Sequence, residues 1–192
     1  MKETLKNLTK AFIGESQARN RYTFYAKIAK KEGYEKIAEI FLLTANQEKE
    51  HAKRIFEHIQ ELKKEIGGEE IIVEATAPLV YGTTEENLQA AANGEKYEYS
   101  EMYPEFAEIA EKEGLKKIAV RLRAIAVAEQ NHEDRYLKLL ELVKNKTYFK
   151  REDEKIWVCM ECGYIHIGKE PPKECPSCDH SHSYYELKQE DY

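Results

Sequence analysis

The sequence predicts a mainly α-helical protein, in which a four-helix bundle precedes a small C-terminal β domain with metal-binding cysteine knuckles. Apolar residues recur at the three- and four-residue spacing of helices through most of the chain before the cysteines. The tetrapeptide Glu-x-x-His occurs twice, at Glu48–His51 and Glu129–His132, and all four cysteines lie within 20 residues of one another. We therefore expect a bundle over residues 1–146, followed by a linker and the cysteine domain over residues 147–192.

Composition limits the class of protein. The chain has 192 residues, of which 42% are hydrophobic, and this is enough for the core of one or two domains. Its net charge of -6 argues against a nucleic acid or an anionic membrane as a partner. The first residues lack an apolar signal segment, and no apolar run approaches the ~20 residues of a membrane span. We expect a cytoplasmic protein.

Two helices are predicted in each half of the bundle. Short loops within each half and one long connection between the halves are typical of a ferritin-like bundle. Glycines mark the helix ends, and Thr84 is expected to cap the third helix. The expected elements are a helix from residue 2 that ends at Gly33, a second that ends at Gly67, an irregular crossover over 69–83, a third helix from Thr84 to Gly114, a fourth over 115–144, and short strands at 156–158 and 184–187.

The two halves are copies of one another. The sequence Ala-Lys-Lys-Glu-Gly at 29–33 returns as Ala-Glu-Lys-Glu-Gly at 110–114, with the same 81-residue offset that relates the two Glu-x-x-His pairs. A shared helical register alone would not preserve residue identities, so internal duplication is the better explanation. Glu32 and Glu113 belong to this repeat, and we expect them only to face water. His58 has no duplicated counterpart and is expected to be packed or on the surface.

The repeat is broken once, in the second half. Tyr22 aligns with Tyr103, but Glu15 aligns one residue past Glu95, so one extra residue lies between Glu95 and Tyr103. One residue inserted in a helix usually produces a π-bulge, and π-bulges concentrate at functional sites. Glu98 lies in this interval and is a seventh candidate ligand. The alternative is a solvated glutamate in a region that is rich in glutamate.

The duplicated acidic and histidine residues predict a site for two metal ions. Each Glu-x-x-His pair presents a carboxylate and an imidazole on one face of a helix, and Glu15 and Glu95 lie upstream. Four carboxylates and two imidazoles in a bundle suit two iron ions. Tyr22 and Tyr103 lie about two turns further on; each either hydrogen-bonds a ligand carboxylate or packs in the core. The candidate ligands are Glu15, Glu48, His51, Glu95, Glu98, Glu129 and His132.

The cysteines predict a second metal site. The pairs Cys159-x-x-Cys162 and Cys175-x-x-Cys178 present four thiolates at a spacing that suits zinc or a single iron ion. Spacing alone leaves both metals open. The Cys-Gly-Tyr and Cys-Pro sequences resemble the knuckles of rubredoxin, which favours iron. Gly163 leaves room for backbone N–H groups to point at sulfur.

With both sites described, the whole chain resembles the rubrerythrin family, in which a ferritin-like diiron bundle precedes a rubredoxin-like domain. The motifs that carry the resemblance are Gly14–Tyr22 (GESQARNRY), Glu48–Arg54 (EKEHAKR), Glu95-x-x-Glu98, Glu101–Pro104 (EMYP), Glu129-x-x-His132 and the two knuckles. The resemblance implies three iron ions per chain and the reduction of hydrogen peroxide to water in defence against oxidative stress. It implies electrons from NADH, supplied by a separate rubredoxin reductase or by rubredoxin.

The same resemblance implies roles for single residues. By this resemblance, Glu48 and Glu129 would bridge the two irons. Glu15 would bind the first iron, and Glu95 and His132 would bind the second. Glu98 and His51 would exchange with one another at the first iron. The catalytic candidates are Glu98, His51, Tyr22 and Tyr103. Exchange of a glutamate for a neutral histidine lowers the negative charge around the first iron, which suits its ferrous state.

Helix geometry predicts an assembly. From Glu129 to the end of the fourth helix is roughly 20 Å at ~1.5 Å per residue, and the cysteine domain lies beyond that point. This is far for electron tunnelling to the diiron site of the same chain. We therefore expect a head-to-tail homodimer, with a tetramer as the larger alternative, in which each rubredoxin-like domain serves the bundle of its partner.

Three other functions share some of these features. A ferroxidase or iron-handling protein uses the same bundle, but iron storage needs no rubredoxin-like electron port. A zinc-ribbon interaction protein leaves the duplicated carboxylates unexplained. An oxidase that reduces dioxygen in place of peroxide stays open.

Overall fold

A computed structural model of the chain describes residues 2–188. The elements are α1 (Lys2–Lys31), α2 (Glu35–Ile66), α3 (Thr84–Tyr97), a π-helix (Glu98–Met102), α4 (Tyr103–Lys112), α5 (Lys116–Lys144), β1 (Lys155–Cys159), β2 (Ile165–Gly168), a 3-10 turn (His182–Tyr184) and β3 (Tyr185–Leu187). Since α3, the π-helix and α4 form one interrupted helix, the bundle has four members, and the predicted fold class is confirmed. Within residues 2–188, no helix is long and apolar enough to cross a membrane.

Two glycines close equivalent helices in the two halves, as predicted. Gly33 and Gly114 both have a φ of +82°. The residues that follow them, Tyr34 and Leu115, each donate a backbone N–H to the carbonyl five residues back. This is the Schellman closure, which requires a left-handed residue and therefore favours glycine. α1 then packs along α2, and α3 and α4 pack along α5.

The cap of the third helix lies one residue earlier than predicted. Thr83, and not Thr84, is the N-cap: its hydroxyl accepts the N–H of Glu86 at 3.3 Å, and Glu86 Oε2 accepts the N–H of Thr83 at 2.8 Å. This reciprocal pair needs a glutamate three residues after the threonine. Only Thr83 has one at that spacing, which is the reason for the correction.

The duplicated glutamates Glu32 and Glu113 do not simply face water, so that expectation is wrong. Glu32 Oε2 accepts the N–H of Thr84 at 2.9 Å. Glu113 Oε2 accepts the N–H of Thr4 at 3.0 Å and its hydroxyl at 2.6 Å. Each glutamate thus reaches the first turn of a helix in the other half, where unpaired N–H groups favour an anion. The duplication therefore repeats a helix-capping contact as well as a metal motif.

Two apolar layers enclose a polar layer in the middle of the bundle. One contains Tyr22, Tyr25, Phe41, Leu88, Tyr136 and Leu140, and the other contains Leu8, Ile55, Leu62, Phe106, Leu122 and Ile125. On each of the four helices, one glutamate with 0% exposure lies between the two layers. The layers therefore remove four carboxyl groups from bulk water, where an unpaired charge is costly.

The C-terminal sheet has the order β2-β1-β3, with all neighbours antiparallel. The two predicted strands are β1 and β3, which pair through Trp157 and Leu187. β2 is absent from the prediction, because four residues between the knuckles are too few for a periodic signal. The division at residue 146 stays a prediction.

This sheet contacts the bundle near the α1–α2 loop. Lys36 Nζ lies 2.9 Å from Glu186 Oε2. The ring of Tyr34 stacks on that of Phe149 with centroids 6.0 Å apart, and Phe149 meets His182 edge-on at 4.8 Å. The cysteine domain therefore lies at one end of the bundle, away from its polar middle layer.

Candidate metal centres

Four helices each contribute one fully buried carboxylate to the middle of the bundle. Glu15 comes from α1, Glu48 from α2, Glu95 from α3 and Glu129 from α5, and each is 0% exposed. Burial of four like charges is strongly unfavourable unless cations or protons compensate them. The arrangement therefore calls for positive charge at its centre.

The carboxylates and two imidazoles form two overlapping groups of four. In each group, one potential ligand atom per residue lies within 4.8 Å of all the others. The first tetrad is Glu15, Glu48, His51 and Glu129, and the second tetrad is Glu48, Glu95, Glu129 and His132. Both tetrads share Glu48 and Glu129. The structure thus brings together six of the seven predicted ligands, with the two predicted bridging residues in the shared positions.

The hydrogen-bonding potential of the cluster fits two cations. Among residues 2–188, hydrogen-bond partners are lacking for Glu15 Oε2, Glu48 Oε1, Glu95 Oε2, both carboxylate oxygens of Glu129, and His132 Nδ1. Several of these atoms are close neighbours without hydrogen-bond geometry, such as His132 Nδ1 and Glu129 Oε2 at 2.7 Å. Buried oxygen and imidazole ligands that converge in this way are the donor set that iron binds.

The shifted pKa values of residues in the cluster also indicate that it binds cations. Burial and the charge of Glu48 raise the pKa of Glu95 to about 8. Burial opposes charge on His132, but the nearby carboxylates of Glu129 and Glu48 raise its pKa to about 12. Protons therefore balance the carboxylates in the metal-free cluster, and metal ions replace those protons when they bind.

Two buried tyrosines hold ligand carboxylates in place. Tyr22 donates its hydroxyl to Glu95 Oε1 at 2.5 Å, and Tyr103 donates to Glu15 Oε1. Of the two alternatives left open by the sequence, the hydrogen bond to a ligand carboxylate is present for both tyrosines, and each bond crosses from one half of the repeat to the other. Burial and the charge of Glu95 raise the pKa of Tyr22, so its phenol keeps the proton that it donates. The catalytic role of both tyrosines stays a prediction.

The predicted π-bulge is confirmed. The π-helix spans Glu98–Met102, and Tyr103 donates its N–H to the Glu98 carbonyl five residues back. The Glu98 side chain is half-buried and lies outside both tetrads, whereas His51 is inside the first one. Burial and the charge of Glu15 raise the pKa of Glu98. Glu98 is therefore a neighbour of the cluster in this structure.

One residue of this site is absent from the sequence-based prediction. Tyr136 is fully buried, and its ring meets that of Tyr22 with centroids 5.5 Å apart. Burial and the charge of Glu95 raise its pKa. A signal was present, because Tyr136 follows Glu129 by seven residues, as Tyr22 follows Glu15. His58 is buried and contacts Glu61 through Nδ1 at 2.9 Å, so it is packed as expected.

The four cysteines form the second centre. Cys159 Sγ lies 3.7 Å from Cys178 Sγ, and Cys162 Sγ lies 3.6 Å from Cys175 Sγ. A tetrahedron with metal–sulfur bonds of ~2.3 Å has edges of about 3.8 Å, so the thiols already have the spacing of a closed four-coordinate site.

The backbone around the second centre favours thiolates. Gly163 has a φ of +76°, a conformation that suits a residue without a side chain. A hydrogen bond from the backbone of Tyr164 lowers the pKa of Cys162. Burial opposes the thiolate of Cys175, but the nearby Tyr185 hydroxyl and the backbone of Ser177 help to lower its pKa to about 6. The contact between the Tyr164 backbone and Cys162 matches the prediction that Gly163 lets N–H groups point at sulfur.

Comparisons with known proteins cover both centres. Residues 6–140 match the family described as Rubrerythrin, and residues 157–186 match the Rubrerythrin, rubredoxin-like domain. The chain is 59% identical to a putative rubrerythrin of Methanocaldococcus jannaschii, over 100% of this chain and 96% of that one. It is 48% identical to rubrerythrin-1 of Clostridium acetobutylicum, over 99% and 96%. A solved structure of partially reduced nigerythrin aligns with a TM-score of 0.64 and 36% identity, over 96% of this chain and 86% of that one.

Proposed function

Because the chain belongs to the rubrerythrin family, we propose that it reduces hydrogen peroxide to water at the bundle, with electrons from the cysteine centre. The carboxylate–histidine cluster is a diiron site, and the four cysteines are a rubredoxin-like iron site, which makes three iron ions per chain. The protein is an oxidoreductase by family. Peroxide as the substrate and NADH as the ultimate electron source are the specific parts of the proposal.

The observation that carries the proposal is the pair of tetrads that share Glu48 and Glu129. A ferrous pair held by these residues would supply two electrons, the number that cleavage of the O–O bond requires, and would polarise both oxygens of hydrogen peroxide. The protein side chains exclude water and orient the ligands. The two apolar layers exclude bulk water, and the phenols of Tyr22 and Tyr103 fix the orientation of Glu95 and Glu15.

We also propose that His51 and Glu98 alternate at the first metal position. His51 Nδ1 lies 3.1 Å from Glu48 Oε2 and 3.7 Å from Glu15 Oε2, whereas the Glu98 carboxylate lies apart from both tetrads. An imidazole lowers the negative charge of the first tetrad, and a carboxylate raises it. The π-helix that begins at Glu98 offers a backbone with two pairing patterns, which suits a residue that moves.

Electrons must cross from the cysteine domain to a bundle. The domain contacts its own bundle at Lys36, and the twelve residues from there to Glu48 span about 18 Å of α2 at ~1.5 Å per residue. We propose a head-to-tail homodimer in which this domain serves the bundle of the partner, with a tetramer as the larger alternative. A separate rubredoxin reductase or rubredoxin would supply the electrons from NADH. The cytoplasmic location stays a prediction.

Stopped-flow absorption with anaerobically reduced protein tests the function. We expect rapid stoichiometric oxidation of both iron centres by hydrogen peroxide, slower oxidation by dioxygen, and three iron ions per chain by metal analysis. Faster oxidation by dioxygen would replace the peroxidase with an oxidase. Growth of a ferric mineral beyond three ions per chain would favour iron storage. Zinc at the cysteines of protein isolated from its source would remove the electron-transfer half of the proposal.

A further inference from the structure

Two glycines lie inside helices although neither their backbone conformation nor a close contact requires glycine there. Gly14 is in α1 and Gly94 is in α3, where glycine destabilises a helix relative to alanine. Each of the other glycines either has a positive φ or would place a Cβ within 3.0 Å of a side chain. Neither reason applies here. A Cβ at position 14 would have its nearest contact at 3.8 Å, and one at position 94 would meet no described atom within 4 Å.

Gly14 lies beside the side chain of Glu98, and Gly94 lies one turn before Glu98 on α3. The atom that a Cβ on Gly14 would meet at 3.8 Å is Glu98 Oε1. Gly94 accepts the N–H of Glu98 through its carbonyl, so the two residues lie one turn apart on the same face of the helix. α1 therefore leaves out a side chain next to this carboxylate, α3 leaves one out a turn before it, and the space beside Gly94 is unfilled.

Partly exposed residues adjoin the buried cluster. The side chains of Glu15 and Glu129 are 0% exposed, whereas that of His51 is 16% exposed and Glu98 is half-buried. Directly after Gly14, Glu15 Oε2 is buried and lacks a hydrogen-bond partner among residues 2–188. Gly14, Gly94 and Glu98 are all half-buried, whereas Glu15 of the first tetrad, directly after Gly14, is fully buried.

We propose that Gly14 and Gly94 keep open an access passage to the first tetrad, and that their missing side chains set the largest hydroperoxide that can enter. The inference rests on the proposed peroxide reduction. A hydroperoxide ROOH takes two electrons from the ferrous pair and two protons from water, its O–O bond breaks, and ROH and water leave. Because R must fit past Glu98, a Cβ or a branched side chain at position 94 excludes bulky R groups before it excludes hydrogen peroxide.

The test compares Gly94→Ala and Gly94→Val with Lys96→Ala, an exposed position on the same helix. Reduced protein is oxidised with hydrogen peroxide or tert-butyl hydroperoxide, and azide binding to oxidised protein is followed by absorption, which needs no turnover. We expect Gly94→Val to slow oxidation by tert-butyl hydroperoxide about tenfold more than oxidation by hydrogen peroxide. The rates of Gly94→Ala should lie between those of Gly94→Val and of the native protein. Azide association should slow in the same order, and Lys96→Ala should match the native protein.

A stability measurement separates a blocked passage from a damaged fold. Alanine favours a helix over glycine, so metal-free Gly94→Ala should unfold at the same temperature as the native protein or a higher one, although its access is slower. If Gly94→Val does not take up iron, the same peroxide and azide rates are measured on Gly14→Ala, which adds a side chain on α1 instead of α3.

The outcomes are distinct. Native rates with tert-butyl hydroperoxide and native azide binding in the glycine variants would overturn the passage. Native protein that reacts no faster with peroxide than with dioxygen would overturn the proposed function instead, and the azide measurement would still decide the passage.

Discussion

The tyrosines show how single residues couple the two halves of the bundle. Tyr22 from the first half donates to Glu95 in the second, and Tyr103 from the second half donates to Glu15 in the first. Each phenol is fully buried, and its only charged neighbour in hydrogen-bond range is the carboxylate it holds, within the described residues. A buried carboxylate that accepts such a bond keeps one orientation, so the crossed pair fixes the geometry of both ends of the cluster.

Tyr103→Phe tests this coupling. Removal of the hydroxyl leaves the Glu15 carboxylate without its hydrogen bond, and we expect the oxidation of reduced protein by peroxide to slow by about 10- to 100-fold with the fold retained. Tyr25→Phe is the matched control, since its equally buried hydroxyl binds the Val80 carbonyl away from the cluster. Stopped-flow absorption, circular dichroism and iron analysis give the comparison. Equal rates in the two variants would contradict the role of Tyr103.

Among the elements, the π-helix is the one that breaks the internal symmetry. α1 passes from Glu15 to Tyr22 as a regular helix, whereas the equivalent segment of the second half holds one more residue and opens into the π-helix Glu98–Met102. The extra residue allows Glu95 and Tyr103 to keep the facing directions of their counterparts while Glu98 is added beside them. A duplicated scaffold thus acquires an unduplicated group at one metal position.

Glu98→Ala tests the use of that group. If Glu98 and His51 alternate, the variant should fold and bind iron, but repeated turnover with peroxide should slow by about tenfold or more because the oxidised state lacks its carboxylate. Glu101→Ala, an exposed change in the same π-helix, is the control. Steady-state peroxidase kinetics give the answer, and unchanged kinetics in Glu98→Ala would refute the exchange.

Helix ends form a second duplicated element. Glu113 accepts two hydrogen bonds from Thr4, as Glu32 accepts one from Thr84. Burial opposes the charge of Glu113, but these bonds help to lower its pKa to about 2. Because the folded-state pKa lies below that of the unfolded chain, the ionised glutamate stabilises the bundle at neutral pH.

Glu113→Gln should therefore lower the free energy of unfolding by about 1 kcal/mol at pH 7. The contribution is complete above an unfolded-state pKa of about 4.3 and is lost as the pH falls through about 2, so the difference between variant and native protein should shrink between pH 5 and about pH 3. Denaturant unfolding of metal-free protein measures it, with Glu105→Gln, exposed on the same helix, as the control. A difference that does not change with pH would argue against an ionised Glu113.

The whole molecule keeps its two iron sites apart. The cysteine domain lies at the α1–α2 end of the bundle, held there by Lys36 with Glu186 and by the stacked rings of Tyr34 and Phe149. The diiron ligands lie in the middle layer, between the two apolar layers. If the cysteine domain serves the bundle of a partner, electron transfer to the diiron site therefore requires the dimer.

A mixing experiment tests that assembly. One chain carries Cys175→Ser, which removes the cysteine centre, and the other carries Glu48→Gln, which damages the bundle. Each variant alone should be inactive, and refolding them together should restore about a quarter of native activity, since half of the dimers are mixed and one of their two sites is complete. Refolding each variant with itself is the control. A mixture without activity, or a fully active monomer, would contradict the head-to-tail arrangement.

Much of the fold and of the site could be predicted because periodic patterns carry it. The 81-residue repeat, the two Glu-x-x-His pairs and the cysteine knuckles predict the helices, both clusters and the π-helix between Glu95 and Tyr103. The misses are contacts between distant segments. Glu32 and Glu113 look like exposed glutamates in sequence, because the helix ends that they cap lie 52 and 109 residues away.

The sequence by itself identified the four cysteines and the six clustered residues of the bundle as candidate ligands, since ligand type and i, i+3 spacing are local properties of a helix or knuckle. Only the tertiary structure decided which of those residues cluster and which contacts they make with one another. It brought Glu48 and Glu129 into both tetrads, crossed the tyrosines between the halves, and left Glu98 beside Gly14 while His51 entered the cluster. The physical reason is that these distances depend on how four helices pack, and packing sums many weak contacts across the whole bundle.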